Sequence, residues 1–248
     1  GMGDIHIDIA INKFKTKFGV EVEKDIPKIA YKETITSTAD AEGKFKKQSG
    51  GKGQYGHCFI KIEPLPRGAG FEFVDEIVGG AIPRNFIPSV EKGIRETLKK
   101  GIIAGFPIVD IKVRLYDGTY HTVDSSDIAF QIAGSLALQK GFQQANPILL
   151  EPIVNVDISV PQELIGDVIG TVNSKRGKVL DMSGTGKRQV IKAQVPLAEM
   201  ANYTNELRSI TSGTGTYTMV FSHYEVVPAH IAQKIIEERK KEKESKEN

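Results

Sequence analysis

The sequence predicts an α+β protein of more than one domain. Three observations carry this. Several stretches alternate apolar and polar residues, the period of a half-buried strand, while others repeat apolar residues every three or four positions, the period of a helix. From 151 to 227 these stretches run strand, helix, strand, strand, helix, strand, the split βαβ or ferredoxin-like pattern. A length of 248 residues suits one to two domains.

The elements follow in order. Ile5, Ile7, Ile9 and Ile11 alternate like a strand, whereas Phe14 and Phe18 are spaced like a helix. Val20–Val22 reads as a short strand. A piece as small as 1–28 buries no core of its own, so it is expected to be the tail of a domain that starts upstream. Residues 29–150 read as a mixed α/β domain. Tyr31–Thr38, His57–Leu65 and Phe71–Asp75 are its first strands. Pro88–Lys100 is a helix with Val90, Ile94 and Leu98 on one face and Gly101 as its stop. Ile108–Leu115 alternates as a strand, and a second helix runs from about Asp127 to Gln144 behind an Asp124-Ser125-Ser126 cap, with Asn146-Pro147 to end it.

Residues 151–227 hold the βαββαβ order. Val154, Val156, Ile158 and Val160 mark its first strand; Leu164, Val168 and Val172 face its first helix. Lys178–Met182 and Arg188–Val195 flank a hairpin loop at Ser183–Lys187. Leu197, Met200, Tyr203 and Leu207 line the second helix, and Tyr217, Met219 and Phe221 the last strand. Residues 228–248 open with Pro228 and a helix bearing Ile231, Ile235 and Ile236. From Glu237 onward nothing is apolar, which fits either a solvated helix end or disorder.

Composition excludes several classes. With 40% hydrophobic and 26% charged residues, the chain is not a collagen, a coiled coil or a mostly disordered polymer. No apolar run approaches the ~18 residues of a membrane span. Asp4, Asp8 and Lys13 interrupt any secretory signal core. A single cysteine, Cys58, excludes an internal disulfide and a four-cysteine zinc site. A cytoplasmic setting and no membrane partner are expected.

Charge is concentrated. Gly43–Ile62 holds Lys44, Lys46, Lys47, Lys52 and Lys61 with no acid; Asn173–Lys192 holds Lys175, Arg176, Lys178, Lys187, Arg188 and Lys192 against Asp181. Without these two stretches the chain has 22 basic and 30 acidic residues. Two readings fit: a polyanion met at defined points, or loops that carry lysine for solubility.

Chemical motifs fail on inspection. Gly51-Lys52-Gly53-Gln54-Tyr55-Gly56 fits G-x-G-x-x-G, but lysines precede it and a strand follows, so no helix N-terminus waits for a phosphate. No H-R-D or D-F-G accompanies it as in a kinase. Gly184-Thr185-Gly186-Lys187 lacks the glycine of a phosphate loop at Asp181 and its Ser or Thr at Arg188. Ser49-Gly50-Gly51-Lys52 satisfies S-x-x-K without its companion motifs. The five histidines show no metal spacing, and Cys58 lies in an apolar strand as a buried thiol. No catalytic residue and no metal site are expected.

What remains is a glycine-rich lysine loop, a His-x-x-Asp-Ser-Ser loop and a basic hairpin. These segments resemble bacterial elongation factor G, the translational GTPase of ribosomal translocation. Gly1-Met2-Gly3-Asp4-Ile5-His6-Ile7 resembles the family's G-M-G-E-L-H-L, and Tyr31-Lys32-Glu33-Thr34-Ile35 its Y-R-E-T-I. Ser49–His57 is similar to S-G-G-R-G-Q-Y-G-H, and Gly118–Ser126 to G-S-Y-H-D-V-D-S-S. Glu206-Leu207-Arg208-Ser209, Gly213-Thr214-Gly215 and His223–Pro228 resemble D-L-R-S, G-R-G and H-Y-E-x-V-P. This chain departs from the family, which often has Arg where Lys52 stands and a bulkier, different loop where Met182–Gly186 stands.

The resemblance implies that 1–28 ends a third domain, that 29–150 is a fourth domain with a left-handed βαβ crossover, and that 151–227 is a ferredoxin-like fifth domain. It implies a monomer that meets the ribosome, both ribosomal RNA and ribosomal proteins, with tRNA and mRNA at the decoding region. The nucleic-acid contacts would be two arm-tip loops: Ser49, Gly50, Gly51, Lys52, Gly53, Gln54, Tyr55 and Gly56 in one, His121, Asp124, Ser125 and Ser126 in the other. Lys175, Arg176, Lys187 and Arg188 are the candidate ribosome contacts of the fifth domain. No cofactor is expected here; GTP and Mg would belong to a GTPase domain upstream. A paralogue acting in ribosome recycling or rescue, and a stand-alone RNA-binding module, are the alternatives.

Overall fold

The computed structural model describes residues 4–22, 28–48 and 53–247. It divides into two compact units, one of residues 1–29 and 152–223, the other of 30–151 and 224–248.

The chain opens with helix α1 (Asp4–Phe18), which corrects the strand expected from the alternation of Ile5–Ile11. A helix satisfies its backbone donors and acceptors within the segment, whereas a strand needs a neighbour to pair with. Gly19 ends α1 in the left-handed region at φ 64°, its N–H on the Lys15 carbonyl. Val20–Val22, expected as a strand, has no regular structure.

In the unit of 30–151 and 224–248, β1 (Lys32–Ile35) pairs antiparallel with residues 147–150. A separate sheet has the order β2-β3-β5-β4, from β2 (Ala39–Lys47), β3 (Gln54–Pro64), β4 (Phe71–Asp75) and β5 (Ile111–Thr119). β4 runs parallel to β5, and α2 (Ile87–Lys100) lies between them in the chain, a βαβ crossover. α2 buries Val90, Ile94 and Leu98 as its spacing predicts.

α3 (Asp127–Gln144) packs on β2 and β3, and α2 packs against α3. Glycines set the spacing. A Cβ at Gly43 or Gly56 would collide with the carbonyl oxygen of Ala133 or Ala129 on α3; one at Gly93 or Gly134 would meet that of Gln131 or Val90. The sheet and the two helices therefore stack at backbone contact. This explains why β2 escaped the sequence reading. Its Ala39, Ala41 and Gly43 are small because α3 lies on them, so the usual branched strand residues are missing.

Cys58 is fully buried in β3, and burial pushes its thiol up to about 12. In the folded protein it is expected to resist iodoacetamide at pH 8 and to react once urea unfolds the chain. Rapid labelling of the native protein is the result against this.

Two buried carboxylates fasten loops. Glu33, fully buried, accepts backbone N–H bonds from Ile102 and Ile103 at 2.7 and 2.9 Å and from Ala104 and Phe106 at 2.9 and 3.0 Å. Asp110 accepts from the N–H groups of Gly68 and Gly70 and from Arg67.

The other unit carries the ferredoxin-like domain. Its elements are β6 (Pro147–Pro161) from residue 152 onward, α4 (Ile165–Ser174), β7 (Lys178–Thr185), β8 (Arg188–Pro196), α5 (Tyr203–Ile210) and β9 (Thr216–Val226) up to residue 223. The strand order β9-β6-β8-β7 is that of the split βαβ fold. Val154, Val156, Ile158 and Val160 meet Ile191, Ala193 and Val195 from β8, with Val168, Val172, Tyr203 and Leu207 from the helices above. The hairpin loop is tighter than expected. β7 runs to Thr185, and only Gly186 and Lys187 turn, Gly186 at φ 74°. The helix expected from Leu197 splits into a 3-10 turn, Leu197–Met200, and α5.

α6 (Ala229–Glu247) shows that the apolar-free stretch from Glu237 is helical. Ile231, Ile235 and Ile236 pack with Tyr31 and Phe106 against Ala104, Leu149 and Val227. Arg239 lies over the Phe106 ring at 5.0 Å. Among the described residues no helix is long and apolar enough to cross a membrane.

Candidate nucleic-acid interface at two convergent loops

Four of the expected loop residues, Ser49, Gly50, Gly51 and Lys52, lie outside the described residues. The rest of that loop meets the His121 loop directly. Asp124 joins them: its carboxylate accepts the Gly53 N–H at 3.1 Å and its carbonyl the Tyr55 N–H at 2.8 Å. A Cβ on Gly53 would stand 2.8 Å from that carboxyl group, so glycine is needed for the approach. Tyr55 and Ser125 form an isolated parallel bridge.

His121 organises its own turn. Its Nδ1 accepts the backbone N–H groups of Val123 and Asp124 at 3.3 and 3.1 Å and lies 3.4 Å from the Asp124 carboxylate, the longest of the three contacts. Its N–H donates to Ser125 Oγ at 2.9 Å, and its carbonyl accepts from the Ser125 N–H at 3.1 Å. Since Nδ1 is an acceptor, the neutral ring carries its proton on Nε2. The ring is 55% exposed and its centroid lies 6.5 Å from that of Tyr55. Ser126 caps α3 by accepting the Ala129 N–H, as the sequence predicts for the Asp124-Ser125-Ser126 run. Gln54 is exposed, whereas Gly56 is buried under α3.

Beneath the loops runs a chain of side chains that sequence reasoning missed. Tyr55 Oη and Thr119 Oγ1 are 2.6 Å apart, Thr119 Oγ1 and His57 Nδ1 2.7 Å, and His57 Nε2 and Glu42 Oε1 2.9 Å. These residues come from three strands. Lys44 pairs with His57, His57 with Thr119, and Lys46 with Tyr55, so all share the sheet face away from α3. Only the β2–β3–β5 register joins them; no spacing in the sequence does.

The second basic group is more committed. Lys175 pairs with Glu206 at 2.8 Å and Arg176 with Glu199 at 2.9 Å. Arg188 holds Ser159 and the Thr214 carbonyl. Lys187 stands exposed on the two-residue turn.

Comparison with known proteins covers both regions. Residues 27–146 match elongation factor G, domain IV, and residues 148–235 match the elongation factor G C-terminus. The chain belongs to the elongation factor G family. It is 57% identical over 239 residues to an elongation factor G of Aquifex pyrophilus, covering 96% of this chain and 34% of that protein. It is 58% identical over its full length to an elongation factor G-like protein of Thermotoga maritima, covering 36% of it. The chain thus spans about a third of the length of these curated relatives. A solved structure from Thermus thermophilus superposes with a TM-score of 0.86 at 45% identity, over 97% of this chain and 36% of that one. Within the elongation factor G frame, both convergent loops fall in the domain IV match, and Lys175, Arg176, Lys187 and Arg188 in the C-terminal match.

Proposed function

We propose that this chain is the ribosome-binding C-terminal part of a translational GTPase that promotes GTP-dependent translocation of tRNA and mRNA. One observation carries the reading: two loops far apart in sequence are fastened by Asp124 into a single exposed end that presents Tyr55 and His121. Such an end, preceded in β2 by Lys44, Lys46 and Lys47, suits ribosomal RNA, tRNA and mRNA in a cytoplasmic setting. Phosphate contacts would position the end without reading sequence. The work is mechanical, with GTP and Mg held in a domain upstream. The chain is about as similar to an elongation factor G-like protein, at 58%, as to an elongation factor G, at 57%, which leaves one second reading, a paralogue acting in recycling or rescue.

Two measurements test this. The chain is expected neither to bind nor to hydrolyse GTP, since no complete phosphate loop occurs in it. Micromolar binding of a GTP analogue in calorimetry would contradict that. Its affinity for ribosomal RNA is expected to fall with salt, log K against log salt losing about 0.7–0.9 per contacted phosphate. Lys46→Ala, Lys52→Ala and Lys187→Ala should each reduce the slope by about one such step. A slope indifferent to all three would mean that the lysines only solubilise the chain.

A further inference from the structure

We infer that Glu42, His57 and Thr119 fix the hydrogen-bonding polarity of Tyr55, so that the exposed end presents an acceptor beside a donor and takes a ribose 2′-hydroxyl of RNA. The inference rests on the RNA contact proposed above and names the group contacted.

With the His57 ring neutral, the direction of every bond in the relay follows from its Glu42 partner. An ionised carboxylate only accepts, so Glu42 Oε1 receives the proton of His57 Nε2. The neutral ring then has a bare Nδ1, which accepts from the Thr119 hydroxyl. The Thr119 oxygen, its own proton spent, accepts from the Tyr55 hydroxyl. Tyr55 therefore turns its proton inward and offers only lone pairs outward. His121 is set the opposite way. Two backbone N–H groups occupy its Nδ1, and its outward nitrogen, Nε2, carries the proton. An acceptor and a donor thus stand on rings whose centroids are 6.5 Å apart.

A phosphate oxygen has no proton for Tyr55. A 2′-hydroxyl both donates and accepts, and it lines the wide minor groove of A-form RNA. It matches this pair, and DNA lacks it. Lys44 and Lys46, on the same face, meet no carboxylate within 4.0 Å among the described residues and are available to the flanking phosphates. Glu42, His57 and Thr119 act through Tyr55 and are positioning residues.

The test uses the whole chain with two probes of one sequence, an A-form RNA duplex and its 2′-fluoro counterpart, which keeps the A-form but cannot donate. The native chain is expected to prefer the 2′-hydroxyl duplex by roughly three- to tenfold, the worth of one net hydrogen bond. Tyr55→Phe and Thr119→Val should bring the ratio to one. Thr119→Ser, which restores the relay hydroxyl, should keep it; a merely structural role for Thr119 would not separate Val from Ser. Nitrogen-15 NMR should find His57 protonated on Nε2 alone. A proton on Nδ1 reverses the relay and overturns the inference, as does a preference untouched by Thr119→Val. Equal binding of both duplexes by the native chain overturns the inference but leaves RNA contact standing. Binding of neither duplex overturns the RNA contact itself.

Discussion

Glu33→Ala is expected to cost about 4 kcal/mol of folding free energy, enough to threaten the unit of 30–151 and 224–248. The carboxylate is fully buried and receives four backbone N–H groups of the segment 102–106. A buried donor left without an acceptor costs about 1–3 kcal/mol. Four of them outweigh the relief of no longer burying a charge. A domain's whole stability is about 5–15 kcal/mol. Glu33→Gln sharpens the point. The side-chain shape is kept, but one oxygen becomes an NH2 that faces two N–H donors, so about half the loss should remain. Urea titration followed by circular dichroism measures both. An Ala variant within 1 kcal/mol of the parent would mean that water replaces the carboxylate and that the loop does not depend on it.

Glu33 also shows where sequence reading stops. In the stretch Tyr31–Ile35 it looks like one more strand residue, and its motif was visible only as a family resemblance. Its task emerges when the chain returns at 101–106, some seventy residues later. The same limit hid Glu42, His57 and Thr119, which lie on three strands and meet only through register. By contrast, α3 was legible to its boundaries, Asp127–Gln144, because a serine cap and an Asn-Pro stop are local chemistry. The opening helix α1 was misread because a period of two among isoleucines describes side chains, while the choice between helix and strand lay with the backbone and its available partners. For the loops, the sequence marked Tyr55 and His121; the structure adds that Asp124 joins them and that Gly56 serves packing.

Restored to the full-length protein, His121→Ala is expected to slow translocation about tenfold while ribosome-stimulated GTP hydrolysis stays close to the parent. A tenfold change corresponds to about 1.4 kcal/mol, the size of one lost hydrogen bond of good geometry. Two roles of His121 must be separated. Its Nδ1 holds the turn through Val123 and Asp124, and its Nε2–H is offered outward. Alanine removes both. His121→Asn keeps an oxygen that can accept from the residues ahead, as asparagine does in its own turns, yet loses the imidazole donor. If the outward donor matters, both variants slow translocation alike, and thermal unfolding shifts little for either, because the ring is 55% exposed. If His121 only holds its turn, Asn restores the rate and Ala alone is slow. If both variants move tRNA and mRNA at the parent's rate, the convergent loops are not the working end of the factor, and the second reading, a paralogue engaged in recycling or rescue, takes precedence.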